Sequence, residues 1–523
     1  MLNTPKKSIV SKPILYALLL AIGVFIGFEL SNPNQSYIQK IDSEQTNTYG
    51  NGRVEELLRF IEAKYVDDVE ADALIEVAMQ NILGELDPHS SYLSPDQLKV
   101  VSQQMTGHYK GIGIETINDD DTLVVVNIIP ESPASQSSLK LFDRIVKIDG
   151  ESPNDSKIDD KLIDNSSNLE KANKIQLTIV RKSSEEELDL NLDIENVNVP
   201  STNLAMLIQD SIAFVKIKQF NSKVYKDFNF ALEKIDPEKL KHLIVDLRGN
   251  PGGYLPETAK ILSLFFTEKN KMLVYTKDRN DRVAEYKSNG TNFYNFEKIA
   301  IIVDAGSASG SEIMAGAIQD WDRGVIIGQA TYGKGLVQEQ YNLKNGGALR
   351  LTVARYFTPS GRFIQKSYKQ QAEIDSTQYY SLLYNRPLDN EGGIVPDIII
   401  DIPRSCPRLF DEGPAFIAFK MLKHKQWFPE DVDVNPDMIL KLSGKDIYAT
   451  INKNEDTELN ETDPCINDFM RRVKYQMIKL LFNEQIALAE TIGIDPYMKE
   501  AIQSISRKEL FATSSNNRST SNK

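Results

Sequence analysis

Histidine and cysteine are scarce in this chain of 523 residues, which holds only four histidines and two cysteines. The four histidines are far apart in sequence and form no His-Glu-x-x-His motif. A histidine-based metal site or a Ser-His-Asp triad therefore has little material to draw on. Two cysteines exclude a cysteine-rich zinc module and a dense disulfide framework.

The charge balance is acidic, with a net charge of −14, so the chain lacks the basic footprint that nucleic-acid binding requires. Hydrophobic residues make up 41% of the chain and charged residues 26%, which is typical of a globular protein with a sizeable core. The length suits two to four domains of roughly 100–200 residues each.

The amino terminus indicates export from the cytoplasm. Three lysines precede an apolar run from Ile14 to Phe28, a pattern that resembles a secretory signal. The run of about 15–17 residues would span about 25 Å, marginal against a hydrocarbon core of about 30 Å. We expect residues 1–30 to be an uncleaved inner-membrane anchor rather than a cleaved signal, with the bulk of the chain in the periplasmic or extracytoplasmic cell envelope. There Cys406 and Cys465 could form a disulfide, and two free buried thiols are the alternative.

Composition and periodicity change several times along the rest of the chain. Residues 54–83 have apolar positions at helical spacing, residues 122–181 form short β-type runs between turn signals, and residues 211–401 alternate strands with helices. These patterns predict an α+β multidomain protein with an α/β core. The predicted divisions are a signal or anchor over 1–30, a linker over 31–52, a helical region over 53–104, a β-rich domain over 105–195, the core over 196–402, a second helical region over 403–511 and a disordered tail over 512–523.

The second helical region holds a clean amphipathic stripe. Its apolar residues recur at helical spacing from Ile466 to Leu481. Such a stripe packs either in the core of its own chain or in a subunit interface. The second alternative would make the protein a homodimer.

The segment Asp304–Glu312 carries the strongest chemical signal. A buried strand ends there, small residues form a tight turn, and a helix begins. Its serines are suited to cap the helix. They are equally suited to present a nucleophile at a point where helix N–H groups stabilise an oxyanion. The segment is not a Gly-x-Ser-x-Gly elbow, because the third position counted from Gly306 is Ala308.

A nucleophilic serine needs a base, and with histidine so scarce a lysine is the obvious candidate. Lys334 stands between two glycines, and Gln338 follows four residues later. This offset puts both side chains on one face of a helix or of a strand, so Gln338 could orient the amine. As a base, Lys334 needs a pKa about three units below its usual ~10.4, which costs about 4 kcal/mol. Burial away from other charges produces shifts of that size.

Two glycine-rich segments follow predicted strands. Gly328 to Lys334 fits the spacing of a phosphate-binding loop, but Gly335 stands where Ser or Thr would ligate magnesium, so an ATPase is disfavoured. The segment Asp246–Gly253 ends in two glycines that allow the backbone to approach a ligand closely. It is either a plain turn or, in company with the other segments, half of an oxyanion hole.

Together these segments resemble the carboxyl-terminal processing peptidases, or tail-specific proteases, which are Ser-Lys serine peptidases with an inserted PDZ domain. The resemblance implies that Ser309 is the nucleophile, Lys334 the general base and Gln338 the residue that positions the lysine. It spans roughly residues 50–400, and its motifs are Asp87–Ser90, Gly111–Ile114, Asp246–Gly253, Gly306–Glu312, Thr331–Gln338, Thr358–Gly361 and Gly393–Asp397.

The same resemblance implies the supporting roles. The N–H of Gly310 and that of Gly252 or Gly253 would form the oxyanion hole. His89, in a motif expected to lie in a helical hairpin, would be structural. The β-rich segment is similar to a PDZ domain, in which the C-terminus of a substrate adds as a strand and its carboxylate binds to loop N–H groups. The residues that match this carboxylate-binding loop are Gly111, Ile112, Gly113 and Ile114.

The resemblance therefore implies an envelope serine endopeptidase that cleaves proteins near apolar C-termini without metal, nucleotide or other cofactor. Its expected partners are protein substrates with apolar tails, an adaptor lipoprotein and a second copy of the chain. The alternative is a scaffold that captures tails through its PDZ domain without cutting them. The intact set of Ser309, Lys334 and Gln338 argues against that alternative.

Overall fold

The computed structural model describes residues 52–153, 173–181, 186–202, 204–291, 294–368, 377–390, 392–402, 413–427, 433–446 and 463–507. The predicted anchor, nearly all of the predicted linker, Cys406 and the predicted tail lie outside these residues. Cys465 is disulfide-bonded. Within the described ranges, no helix combines the length and the apolar character needed to cross a bilayer. The chain divides into two units, Met1–Ile75 and Glu76–Lys523.

The helices and strands have the following bounds. The helices are α1 Arg53–Lys64, α2 Ala71–Gly84, α3 Pro95–Thr106, α4 Val224–Glu233, α5 Leu255–Ser263, α6 Gly310–Asp320, α7 Pro414–His424, α8 Pro436–Leu440, α9 Pro464–Leu481, α10 Glu484–Thr491 and α11 Pro496–Ser506. The strands up to the start of the core are β1 Ser91–Leu93, β2 His108–Gly111, β3 Ile114–Asp119, β4 Thr122–Ile128, β5 Arg144–Ile148, β6 Lys174–Val180, β7 Glu187–Asp193 and β8 Glu195–Asn198. The remaining strands are β9 Leu204–Ile208, β10 Ile212–Lys216, β11 His242–Asp246, β12 Lys269–Asp278, β13 Val283–Asn289, β14 Lys298–Val303, β15 Val325–Gly328, β16 Leu336–Asn342, β17 Ala348–Phe357, β18 Tyr379–Tyr380, β19 Pro387–Leu388 and β20 Ile398–Ile399.

The described part of the first unit contains α1 and the beginning of α2. Helix α1 follows Gly52 and ends where Tyr65 turns into an extended conformation. Its acidic residues lie in the first turn and Lys64 in the last, an arrangement that suits the helix dipole.

A six-stranded sheet of order β20-β15-β14-β11-β10-β9 forms the core of the second unit. Its strand pairs are parallel except β9 with β10. Alternate residues of each strand point to opposite faces. Val245 and Ile301 therefore pack on helices α4 to α6, whereas Ile244 and Ile302 pack on the C-terminal helices α10 and α11. The predicted fold class, an α/β core within an α+β protein, is confirmed.

A second, antiparallel sheet of order β1-β17-β12-β13, with β16 paired to β17, lies on the far side of helices α4 to α6. Of this sheet the sequence predicts one strand, Leu349–Tyr356, which lies within β17. Strand β1 follows the Asp87–Ser90 motif and pairs with β17 through Ser91 and Arg350. The expected helical hairpin around His89 is therefore wrong, because a three-residue strand is too short to show a periodicity of its own.

The PDZ-like domain is an antiparallel meander of order β3-β4-β5-β6-β7. The chain enters and leaves it through the antiparallel pair β2 and β8. One face of β4 packs against the C-terminal helices, where Val124 shares a buried cluster with Phe469 and Val473 of α9. The amphipathic stripe of α9 is therefore core of its own chain rather than an exposed face.

Candidate active site

Ser309 lies at the junction between strand β14 and helix α6. The strand is buried on both faces and ends at Val303, and the helix begins at Gly310. Between them Asp304 accepts hydrogen bonds from the N–H groups of Gly306 and Gly249, at 2.9 Å each. Ser309 has φ 53° and ψ −109°, a backbone conformation that few non-glycine residues adopt. Backbone strain of this kind persists where the surrounding structure enforces it, and it is concentrated at functional sites.

Glu312, in the first turn of α6, is the group that enforces it. Its carboxylate is fully buried and accepts hydrogen bonds from the N–H of Ser309 at 2.8 Å, of Lys334 at 2.9 Å and of Gly333 at 2.7 Å. The hydroxyl of Thr331 donates a further bond at 2.6 Å. Burial raises the pKa of Glu312 to about 7, although these four donors oppose the rise. One carboxylate thus joins the backbone of the serine turn to that of the lysine loop.

Lys334 and Gln338 lie together in the half-buried space beside this turn. The Lys334 Nζ donates to Gln338 Oε1 at 2.7 Å, and Gln338 Nε2 donates to the carbonyl of His89. Burial lowers the pKa of Lys334, and the guanidinium of Arg350 lowers it further. Within the described ranges no hydrogen bond joins Ser309 Oγ to Lys334 Nζ. Catalytic hydrogen bonds are often long or misaligned until substrate is bound.

The Asp87–Ser90 turn holds Gln338 in place from the opposite side. Asp87 accepts from the N–H groups of His89 and Ser90 at 2.8 Å and from Ser90 Oγ at 2.7 Å. Ser90 Oγ in turn accepts from the N–H of Thr352, which pairs with Gln338 across β16 and β17. His89 therefore contributes its backbone carbonyl to the site.

The glycine loop after β11 lies directly against the serine turn. A Cβ atom at Gly252 would be 2.7 Å from Ser309 Cβ and from the nitrogen of Gly310, so only glycine fits. The N–H of Gly252 donates to Asn250 Oδ1 at 2.8 Å. Among the described residues, the N–H groups of Gly253 and Gly310 have no hydrogen-bond acceptor. Of the two glycines left open by the sequence, Gly253 is therefore the one with a free donor.

Two residues of this site escaped the sequence prediction. Tyr356 is fully buried and its hydroxyl donates to the carbonyl of Lys334, which packs the lysine loop against β17. Glu312 could have been found, because Ser309-Gly-Ser-Glu312 has the S-x-x-E spacing of a capping box. No comparable pattern singles out Tyr356.

The segment Gly111–Ile114, which matches the carboxylate-binding loop of PDZ domains, runs from the last residue of β2 to the first residue of β3. Ile112 and Ile114 are buried, and the carbonyls of Ile112 and Gly113 accept hydrogen bonds from Ala134 and Ile129 at 2.9 Å each. Among the described strands β3 pairs only with β4, so its other edge faces no strand. A free edge beside a turn of this kind is what strand addition requires.

In the described ranges, no group of three or more His, Cys, Asp or Glu side chains could hold a metal ion.

Replacing Glu312 by glutamine tests the carboxylate that joins the two loops. The amide retains one oxygen and points an NH₂ group at two of the backbone donors, so both loops should shift. We expect kcat/KM to fall about 100-fold, the usual effect of a displacement of about 1 Å. Unfolding free energy should fall by about 2 kcal/mol because buried donors lose their acceptor. Peptide cleavage and thermal unfolding measure the two effects.

Glu285→Gln is the matched control, because Glu285 is exposed on β13 and, among the described residues, pairs only with Lys287. It should leave both quantities unchanged. A Glu312→Gln protein with wild-type activity would show that the carboxylate does not position the two loops.

Comparison with known proteins agrees with the architecture. The profile of Peptidase family S41 matches residues 211–375, and that of the PDZ domain matches residues 111–192. The "Carboxy-terminal-processing protease" of Bartonella bacilliformis is 31% identical over 348 residues, which cover 66% of this chain and 78% of that protein. The "Probable CtpA-like serine protease" of Staphylococcus aureus strain COL is 27% identical over 367 residues, covering 70% and 72%. The solved structure of a photosystem II D1 C-terminal processing protease has a TM-score of 0.36 and 23% identity, and the match covers 67% of this chain and 88% of that one.

Fold and comparisons together define a serine-type peptidase that carries a PDZ domain. The chain belongs to Peptidase family S41, and within it to the carboxy-terminal-processing proteases. The resemblance seen in the sequence motifs is confirmed.

Proposed function

We propose that the protein is an endopeptidase that cleaves other proteins near their C-termini with Ser309 as nucleophile and Lys334 as general base. The observation that carries this proposal is the lysine amine, half-buried and hydrogen-bonded to Gln338 Oε1 at 2.7 Å beside the strained Ser309 turn. Burial and Arg350 both favour the neutral amine, the form that can accept a proton.

In the proposed reaction Lys334 Nζ takes the proton of Ser309 Oγ as the oxygen attacks the scissile carbonyl. The resulting ammonium then gives that proton to the leaving amine, and water releases the acyl group in a second, analogous step. The free N–H groups of Gly310 and Gly253 would bind the oxyanion of each tetrahedral intermediate. Gln338, fixed by the carbonyl of His89, keeps the amine oriented throughout.

We propose further that the PDZ domain recognises apolar substrate tails. The substrate would add as a strand to the free edge of β3, and its terminal carboxylate would bind to N–H groups of the Gly111–Ile114 loop. Position 113 has no room for a side chain, since Gly113 has φ 85° and a Cβ there would lie 2.2 Å from Ser132 Cβ. A side chain at this position should therefore distort the loop.

The tail preference can be tested with one quenched peptide in three forms. The purified full chain should cleave a peptide that ends in an apolar residue with a free carboxylate. Amidation of that carboxylate should raise KM about tenfold, because a charge-assisted hydrogen bond contributes about 1.5–3 kcal/mol. An aspartate at the last position should raise KM by a similar factor, because burial of an apolar side chain also contributes about 1.5–3 kcal/mol. In the Gly113→Ala protein the three KM values should converge while kcat stays the same.

The outcomes separate the candidate functions. Tight binding of the free-carboxylate peptide without any turnover would favour a non-cleaving scaffold. Cleavage that is indifferent to the tail would support the peptidase and contradict recognition by the PDZ domain.

For the cellular setting we propose an envelope enzyme held by residues 1–30, on the basis of the lysines and the apolar run at the amino terminus. The partners proposed with it, an adaptor lipoprotein and a second copy of the chain, rest on the family resemblance, since the α9 stripe packs within its own chain. Membrane fractionation of cells that express the full chain, followed by protease treatment of spheroplasts, tests the location. Recovery in the cytoplasmic fraction would contradict it.

A further inference from the structure

The C-terminal helices α10 and α11 cover one face of the core sheet, beyond the part of the chain that the peptidase profile matches. Asp495 lies just before α11, and only 4% of its side chain is exposed. Its Oδ1 accepts the N–H of Tyr497 at 3.0 Å and so caps the helix. A cap needs only one of the two carboxylate oxygens.

The carboxylate of Asp495 also joins the peptidase core to α9, and its Oδ1 accepts a longer bond from Arg248 Nη1 at 3.3 Å. Arg248 Nη1 donates to Asp495 Oδ2 at 2.9 Å, and Arg471 of α9 donates to the same oxygen at 3.1 Å. On its other side the Arg248 guanidinium donates to Asp246, from Nε to Oδ1 at 3.0 Å and from Nη2 to Oδ2 at 2.8 Å. The face of the guanidinium lies 4.8 Å from the centre of the Tyr497 ring. Arg248 is thus clamped between its own loop and the C-terminal helices.

The loop that carries Arg248 is the glycine loop of the active site. The Leu247 carbonyl accepts from Ser307 Oγ at 2.8 Å, and the Asn250 carbonyl accepts from the N–H of Ala308 at 3.0 Å. Asn250 also orients Gly252 through its side chain. A displacement of Arg248 would therefore move both the serine turn and the candidate oxyanion donors.

The same helical region also contacts the PDZ domain. Val124 of β4 is buried against α9, and Lys423 of α7 pairs with Asp119 of β3 at 2.6 Å. Strand β3 is the strand whose free edge would receive the substrate tail. One set of helices thus contacts the tail-binding strand at one end and the glycine loop at the other.

We propose that Asp495 is a positioning residue for the oxyanion hole, and that the C-terminal helices act through it as a brace on the glycine loop. The inference rests on the proposed peptidase activity. Without the charge of Asp495, Arg248 loses its ion pair with the C-terminal helices and keeps there the contact of its face with the Tyr497 ring. Residues 248–253 then gain freedom while the substrate-tail site is untouched. The effect should then appear in kcat and leave KM nearly unchanged.

Asp495→Asn in the full chain tests the brace. The amide keeps the oxygen that caps α11 and removes the charge that holds Arg248. We expect kcat to fall at least tenfold, with KM within twofold of the wild-type value. Asp495→Glu restores the charge on a longer side chain, and its kcat should lie between that of Asp495→Asn and that of the wild-type protein. The glutamate variant also gives the answer if the asparagine variant does not fold.

Asp468→Asn is the matched control. Asp468 pairs with Arg471 at 2.7 Å and with Arg472 at 2.9 Å, in the same ion-pair network, but it does not contact Arg248. It should lower the melting temperature about as much as Asp495→Asn and leave kcat unchanged. Equal losses of kcat in the two variants would overturn the proposal, because general destabilisation of the helices would then explain both.

Hydrogen exchange of the backbone gives a readout that needs no activity. Amides of residues 248–253 should exchange faster in Asp495→Asn than in the wild-type protein, and Asp468→Asn should match the wild type there. Unchanged exchange in Asp495→Asn would overturn the brace. A wild-type chain that cleaves no substrate would instead overturn the proposed function, and the exchange measurement alone would then decide the brace.

Discussion

Replacement of Ser309 by alanine is expected to reduce kcat for peptide cleavage by roughly 10⁴- to 10⁶-fold, the range seen when a catalytic nucleophile is removed from a serine protease. The alanine lacks the oxygen that attacks the carbonyl, and no other hydroxyl occupies its place on the turn. The fold should survive, because Glu312 holds this turn through the N–H of Ser309, which alanine retains.

Binding provides the internal control for this variant. The proposed carboxylate-binding loop at Gly111–Ile114 belongs to another domain, so Ser309→Ala should bind an apolar tail peptide with the wild-type Kd. The variant should also capture intact substrates from an envelope extract. A variant that cleaves at more than a tenth of the wild-type rate would show that Ser309 is not the nucleophile.

Loss of the Lys334 amine should be almost as severe. Lys334→Met removes the proton acceptor while it retains a side chain of similar length, and we expect kcat to fall roughly 10³- to 10⁴-fold. Lys334→Arg is the sharper variant, because a guanidinium keeps the positive charge but cannot be deprotonated in a protein. If the lysine acts as a base, both variants are inactive. An active arginine variant would assign the lysine an electrostatic role instead.

The pH dependence has a definite sign. Only the neutral amine accepts a proton, so kcat/KM should rise with pH up to the pKa of Lys334, which burial and Arg350 hold below the usual value for lysine. Glu312 lowers kcat/KM over the same acidic range. As the pH falls through its pKa of about 7, its carboxylate is protonated and becomes a weaker acceptor for the N–H groups of Ser309 and Lys334. A profile that is flat from pH 5 to 9 would contradict both assignments.

Gln338→Glu extends this test to the positioning residue. A carboxylate at the position of an amide oxygen 2.7 Å from Lys334 Nζ stabilises the ammonium and raises the pKa of the lysine. The rising limb of the pH profile should therefore move to higher pH. A limb that does not move would show that Lys334 is not the group whose deprotonation the limb reports.

Much of the core could be predicted from the sequence, because its strands are buried on both faces and appear as continuous apolar runs. The sequence predicts a strand over Ile299–Asp304 and a helix over Ser311–Trp321, each displaced by one residue from β14 and α6. In the PDZ domain it predicts a strand over Arg144–Ile148, which are the bounds of β5. The second sheet was largely missed. Its strand β13 is mostly exposed and β16 carries four polar residues in seven positions, so neither shows a clear alternation.

Of the candidate site, too, one part could be predicted from the sequence and another could not. Ser309, Lys334 and Gln338 stand in local patterns of small residues and fixed offsets, which a sequence displays directly. The acceptor that joins their loops, Glu312, has a partner 22 residues away, and Asp495 reaches Arg248 across 247 residues. Contacts of that kind depend on the packing of separate elements and leave no local pattern.

Covalent labelling tests the central claim, that a neutral Lys334 activates Ser309, most directly. The full chain, its Ser309→Ala variant and its Lys334→Met variant would be treated with a fluorophosphonate, and the adduct followed with time by intact-mass and peptide mass spectrometry. We predict a single adduct on Ser309, no adduct in the alanine variant, and labelling at least 100-fold slower in Lys334→Met. An adduct on another residue, or equal labelling rates with and without Lys334, would contradict the account.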